Sequence, residues 1–120
     1  MSAFTVHATL RNPDDRERAA AVVDFLVDTG AIYTMLPAEV VTRLGLPTPE
    51  QRAVEFANGQ RDVWPLGEVR VRLADTERTT VFLAGPAGCR PLLGAVTLEE
   101  FGVAVDPNHQ RLVPISSFFV

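Results

Sequence analysis

The stretch Phe25-Leu26-Val27-Asp28-Thr29-Gly30-Ala31 places a carboxylate at the end of an apolar run and follows it with a hydroxyl residue and a glycine. Ala19 to Val27 is rich in apolar and β-branched residues, which predicts a buried strand. A carboxylate at the end of such a strand is costly unless it is hydrogen-bonded or neutralised. Two readings follow. In one, Asp28 opens an ordinary turn and Gly30 supplies positive φ. In the other, Asp28 is held at the floor of a cleft. The triplet alone turns up by chance in roughly a few per cent of chains this long, so its surroundings must decide.

Outward from the triplet, the chain alternates short β-like runs with turn residues. Upstream, Phe4 to Leu10 reads as a strand, and Asn12-Pro13-Asp14-Asp15 as a turn. Downstream, Pro37 to Gly45 reads as a short helix, with Pro37 at its first position and Gly45 just past its end. Val54-Glu55-Phe56 and Val63-Trp64 flank Ala57-Asn58-Gly59-Gln60, which predicts a hairpin tipped by a type I′ turn at Asn58-Gly59. Gly67 to Leu73 alternates as a half-exposed strand, Asp75 to Arg78 turns, and Thr79 to Leu83 returns. Pro91 to Gly94 is a short apolar strand, and a helix over Ala95 to Phe101 is closed by Gly102. A last hairpin turns at Asp106-Pro107-Asn108, and Ile115 to Val120 is a candidate terminal strand. The expectation is one mostly β domain over residues 1–120 with two short helices.

Composition narrows the function classes. Apolar residues make up 47% and charged residues 22%, which fits a chain with a packed core and not a disordered one. The net charge of −4 gives no electrostatic reason to expect nucleic acid or an anionic membrane as partner. The single cysteine, Cys89, allows no disulfide within the chain. Together with His7 and His109, widely separated, it does not resemble a zinc site, so no metal or organic cofactor is expected. The first ten residues lack the pattern of a secretory signal, and Ile115 to Val120 is too short to span a bilayer. A cytoplasmic protein is the default expectation.

The order and spacing of the motifs carry more than the triplet does. Asp28-Thr29-Gly30-Ala31 is followed by Thr34, Leu36 and Pro37, then by the hairpin at Asn58-Gly59, then by Leu92-Leu93-Gly94 and a helix over Leu98 to Phe101. In this the chain, from about Ala19 to Val113, resembles the retropepsin-like (retroviral-type) aspartic peptidases. The resemblance implies a single-lobe acid-protease barrel that works as a two-fold homodimer. It implies an aspartic endopeptidase, a hydrolase that cleaves a peptide or protein substrate with water activated between Asp28 and the same residue of a second copy. Asp28 would be the catalytic carboxylate and Thr29 would brace the paired loops across the axis. Gly30 would donate its N–H toward the carboxylate, and Leu93 and Gly94 would support the loop. Ala57, Asn58 and Gly59 would form a flap over the substrate.

Where the family often carries a charged pair near the cleft edge, this chain has Ile32, Tyr33 and Ala95. Phe118, Phe119 and Val120 are candidates for a sheet between subunits. A serine at position 31 could donate to the ionised carboxylate; Ala31 cannot, so an optimum less acidic than that of pepsin-like enzymes is expected. The alternative is a catalytically inactive dimerisation or peptide-binding module of the same fold. An intact Asp28-Thr29-Gly30 favours the enzyme, because a binding module has little use for such a carboxylate.

Overall fold

The computed structural model describes residues 4–120. The chain runs β1 (Thr5–Arg11), β2 (Ala21–Val27), β3 (Thr34–Pro37), α1 (Ala38–Leu44), β4 (Glu50–Glu55), β5 (Arg61–Leu73), β6 (Thr76–Gly85), β7 (Leu92–Leu93), α2 (Ala95–Glu100), β8 (Val103–Asp106) and β9 (Arg111–Pro114). Seven strands form one sheet in the order β1-β2-β7-β3-β6-β5-β4, and β1 also pairs with β5. That extra pairing closes the sheet on itself into a barrel, with β4 extending from β5. Closure removes the unpaired edges that an open sheet of short strands would expose. The last two strands, β8 and β9, make a separate hairpin.

Inside the barrel, alternate residues of each strand meet. Ala8 and Leu10 of β1, Ala21, Val23 and Phe25 of β2, Val69 and Val71 of β5, and Phe82 of β6 are buried together with Leu36, Leu44, Leu93 and Leu98. Burying each such leucine or phenylalanine contributes about 1.5–3 kcal/mol before the cost of chain ordering. The expectation of a wholly buried second strand is corrected: β2 alternates. Val22 is 69% exposed, and Asp24 faces outward to pair with His7 of β1. An antiparallel partner on one side and solvent on the outer face explain the period of two.

Other boundaries also differ. Pro37 is the residue before helix α1, not its first residue; Gly45 ends the helix in the left-handed conformation, at φ 61°. The hairpin after α1 is not a type I′ turn, which needs positive φ at both central residues. Among its tip residues only Gly59 has positive φ, at 83°. The Gly59 N–H donates to Phe56 O (2.9 Å), and the Phe56 N–H to Gln60 O (2.8 Å). This is a three-residue loop, Ala57-Asn58-Gly59, with glycine in the left-handed position. The Asn58 side chain accepts from the Gln60 N–H at 3.0 Å and so needs no positive φ of its own.

β5 runs unbroken through Pro65 and Gly67. Pro65 is paired with Gln51 of β4, one residue before the pairing to β6 begins at Leu66. The missing N–H therefore falls where β5 has one neighbour. The return to β6 is a two-residue turn at Ala74-Asp75, with Leu73 opposite Thr76, rather than a turn over Asp75 to Arg78. Residues 115–120 form no strand within the chain.

Candidate active site

Strand β2 delivers Asp28 to the barrel rim. Leu26 and Val27 lie parallel to Leu92 and Leu93 of β7, and this ladder ends with the Asp28 N–H donating to Leu93 O at 3.1 Å. The chain then folds tightly. The Ala31 N–H donates to Asp28 O (3.2 Å), and the Gly30 N–H donates to Asp28 Oδ1 at 3.0 Å. A backbone N–H on a carboxylate oxygen fixes the side chain's direction. Gly30 lies outside the positive-φ residues. Its conformation therefore does not account for glycine here, although a Cβ would sit 3.3 Å from Asp28 Oδ1.

Asp28 is half-buried in the single chain, and Thr29 and Gly30 are exposed. The loop sits where the β2–β7 ladder stops.

Leu93 and Gly94 lie directly against the loop. Leu93 is fully buried, and a Cβ on Gly94 would lie 2.4 Å from the carbonyl carbon of Tyr33 and 2.5 Å from its oxygen. Only glycine permits that approach. Helix α2 begins there: the Ala95 N–H donates to Ala31 O (2.8 Å) and the Val96 N–H to Ile32 O (3.0 Å). At the positions where a charged pair is absent, main-chain bonds tie α2 to the loop.

Beneath the hairpin β4–β5 lies a groove of about 440 Å³. It is lined by Gly30 to Tyr33 of the loop, by Met35, Leu83 and Leu92, and by Arg52 to Phe56 with Trp64 of the hairpin. Asp28 does not line it; its loop reaches the groove through Gly30 and Ala31. Phe56 and Trp64 pack with their rings tilted at 59° and centroids 5.8 Å apart, and Trp64 Nε1 donates to Asp62 Oδ2 (3.2 Å). Arg52 sits 5.7 Å from the centre of the Tyr33 ring, linking the hairpin to the loop's far side. Ala57, Asn58 and Gly59 are at the hairpin tip, exposed and outside the groove lining. Among the groove residues that the motif reading did not single out are Met35, Arg52, Ala53, Val54, Glu55, Leu83 and Leu92. They come from strands apart in sequence, and only the barrel pairing brings them together.

A larger hollow of about 600 Å³ lies elsewhere, among Arg11, Arg16, Arg18 and Arg70 with Asp15 and Glu77. Its arginines are already partly engaged: Arg70 with Glu77 and Arg18 with Asp15. Cys89 is half-buried, and burial pushes its thiol up from the ordinary value, which makes it a poor nucleophile. Among the described residues no three His, Cys, Asp or Glu side chains gather as metal ligands. No helix of these residues is long and apolar enough to cross a membrane.

Comparison with curated proteins gives no match. A family model described as aspartyl protease matches residues 17–96, from the approach to β2 through the start of α2. That span takes in the Asp-Thr-Gly loop, the hairpin over the groove and the Leu-Leu-Gly strand, in the order the fold requires. This chain belongs to the retropepsin-like aspartyl protease family.

Proposed function

We propose that the protein is an aspartic endopeptidase active as a homodimer, with Asp28 of each copy contributing one half of the catalytic pair. The observation that carries this reading is the Asp28 loop itself: a carboxylate oriented by the Gly30 N–H, hung from Leu93, and half-buried at the barrel rim beside exposed Thr29 and Gly30. The chain holds one Asp-Thr-Gly, so a second carboxylate in the same setting must come from another copy. A two-fold axis at the loop would bring the two together.

The chemistry then needs two carboxylates and one proton between them, the arrangement for which aspartic proteases are the standard case. The ionised member takes a proton from water as the water oxygen attacks the scissile carbonyl carbon. The protonated member gives its proton to the carbonyl oxygen. As the C–N bond breaks, the carboxyl that took the water proton gives it to the leaving nitrogen and the other recovers a proton from a hydroxyl of the tetrahedral intermediate, so the pair returns to its starting state. The two groups would titrate as a unit.

Thr29, exposed beside Asp28, would bond across the axis. The hairpin tip at Ala57-Asn58-Gly59 would close over an extended peptide, whose backbone would pair with the cleft as an added strand. Phe119 and Val120, wholly exposed in the single chain, and Phe118, at 54%, supply apolar surface for a subunit contact. The same reading places the enzyme in the cytoplasm, where a lone thiol such as Cys89 stays reduced.

The test is cleavage of a mixed peptide library across acidic to neutral pH by the wild type and by Asp28→Asn. Cleavage by the wild type alone, blocked by a statine-type inhibitor, is the expected outcome. Silence from both proteins, with peptide binding retained, would make this a binding module.

A further inference from the structure

Three threonines far apart in sequence meet in the core behind the Asp28 loop. Thr34, Thr80 and Thr97 are 0%, 1% and 0% exposed. Thr34 Oγ1 and Thr97 Oγ1 are 2.7 Å apart, Thr97 Oγ1 and Thr80 Oγ1 2.8 Å, and Thr80 Oγ1 donates to Glu100 Oε1 at 2.6 Å. At the other end, the Gly94 N–H donates to Thr34 Oγ1 at 3.2 Å. The row begins at the loop support and ends on a carboxylate at the last residue of α2.

Its direction can be worked out. A hydroxyl has one proton to give, and an ionised carboxylate only accepts. Thr80 must spend its proton on Glu100. The Thr80–Thr97 bond is then made by the proton of Thr97, and the Thr97–Thr34 bond by that of Thr34. Thr34 is left with lone pairs alone to face the Gly94 N–H. Each bond polarises the next, and a charge at one end strengthens the row.

The Gly94 N–H and the Leu93 carbonyl belong to one planar peptide group. Its oxygen receives the Asp28 N–H, and its hydrogen is held by Thr34. Fixing one end of the plane fixes the other. We propose that Glu100 is a positioning residue for Asp28: through Thr80, Thr97 and Thr34 it orients the Leu93–Gly94 peptide from which the catalytic loop hangs. Reversal of the row would aim the Thr34 proton away from any acceptor in the row and weaken that peptide's hold on the loop.

The role in catalysis rests on the peptidase reading; the role in holding the loop does not. The test therefore joins amide hydrogen exchange to kinetics in Glu100→Gln, Thr97→Val and Thr97→Ser. An amide at 100 both donates and accepts, so it no longer sets the direction. Glu100→Gln and Thr97→Val are expected to speed exchange at the Gly94 and Asp28 amides by about tenfold, the worth of one charge-assisted bond. The amides of β5 are expected to stay as protected as in the wild type, kcat to fall with KM unchanged, and Thr97→Ser to restore both. Wild-type exchange at Gly94 and Asp28 in the two variants overturns the proposal. So does an equal rise throughout β5, which is a loss of global stability, and so does a Thr97→Ser protein that behaves like Thr97→Val. A wild type that cleaves no peptide defeats the peptidase reading and leaves the exchange result to stand or fall alone.

Discussion

The backbone N–H of Asp28 donates to the carbonyl of Leu93 at 3.1 Å, joining the end of β2 to the end of β7. The two residues are remote in sequence, and Asp28 lies one residue past the parallel ladder that pairs Val27 with Leu93. Because the bond is to main chain, the position of the carboxylate is set by the barrel and not by a loose loop. Sites held this way lose precision when the support shifts, even where no substrate contact changes.

Gly94 is the tightest point of that support. In Gly94→Ala the new Cβ would meet the Tyr33 carbonyl at 2.4–2.5 Å and Ile32 O at 2.9 Å. These are backbone atoms and cannot swing aside. A loss of about 3 kcal/mol is expected in urea unfolding, with the two chain segments forced apart next to Asp28. A midpoint equal to that of the wild type would show that the approach is not needed.

Trp64 is half-buried and forms part of the groove wall. Removing it by Trp64→Ala is expected to cost little stability, about 1 kcal/mol. The apolar surface lost to substrate is expected to raise KM about tenfold with kcat nearly kept, a loss of uniform binding. A fall in kcat with unchanged KM would move Trp64 from binding to positioning.

Ala31 stands in the loop and lines the groove. In Ala31→Ser a hydroxyl beside the carboxylate would donate to its ionised form and favour it. The acid limb of the cleavage profile is expected to move to lower pH, as the base member stays ionised further into acid. An unmoved limb would mean that the hydroxyl does not reach the carboxylate.

Asp106 offers a stability test away from the site. The His109 ring Nδ1 beside it, then Arg111 Nε and the N–H groups of Asn108 and His109, hold its carboxyl below the ordinary value of 3.8. A carboxylate whose value is lowered by folding stabilises fully above its unfolded value. That contribution fades as pH falls through the lowered one. The Tm of the wild type is therefore expected to exceed that of Asp106→Asn near neutrality, and the gap to close in strong acid. A gap independent of pH would contradict the assignment.

The sequence carried the local features well, because their causes are local. Gly45 stops a helix through its own φ, and Gly59 marks a hairpin tip wherever the turn type falls. That Leu93 and Gly94 lie beside the Asp28-Thr29-Gly30 loop is implied by the family resemblance and not by any local rule. What stayed hidden depends on partners distant in sequence. Thr34–Pro37 becomes a strand through its pairing with Phe82–Gly85 of β6 on one side and Leu92 of β7 on the other. β5 crosses Pro65 because its neighbours change there. The row from Thr34 to Glu100 joins four polar residues that no periodicity links. The outward face of β2 escaped notice because Val22 is apolar yet exposed.

The central claim is that each working site is made from two chains, and co-refolding tests it most directly. Wild type refolded with an equal amount of Asp28→Asn would form mixed pairs. Cleavage per wild-type chain is expected to fall to about half of its value alone, since random two-fold pairing leaves half of those chains with a wild-type partner. Unchanged cleavage per wild-type chain would show that one chain suffices, and would contradict the shared pair of aspartates.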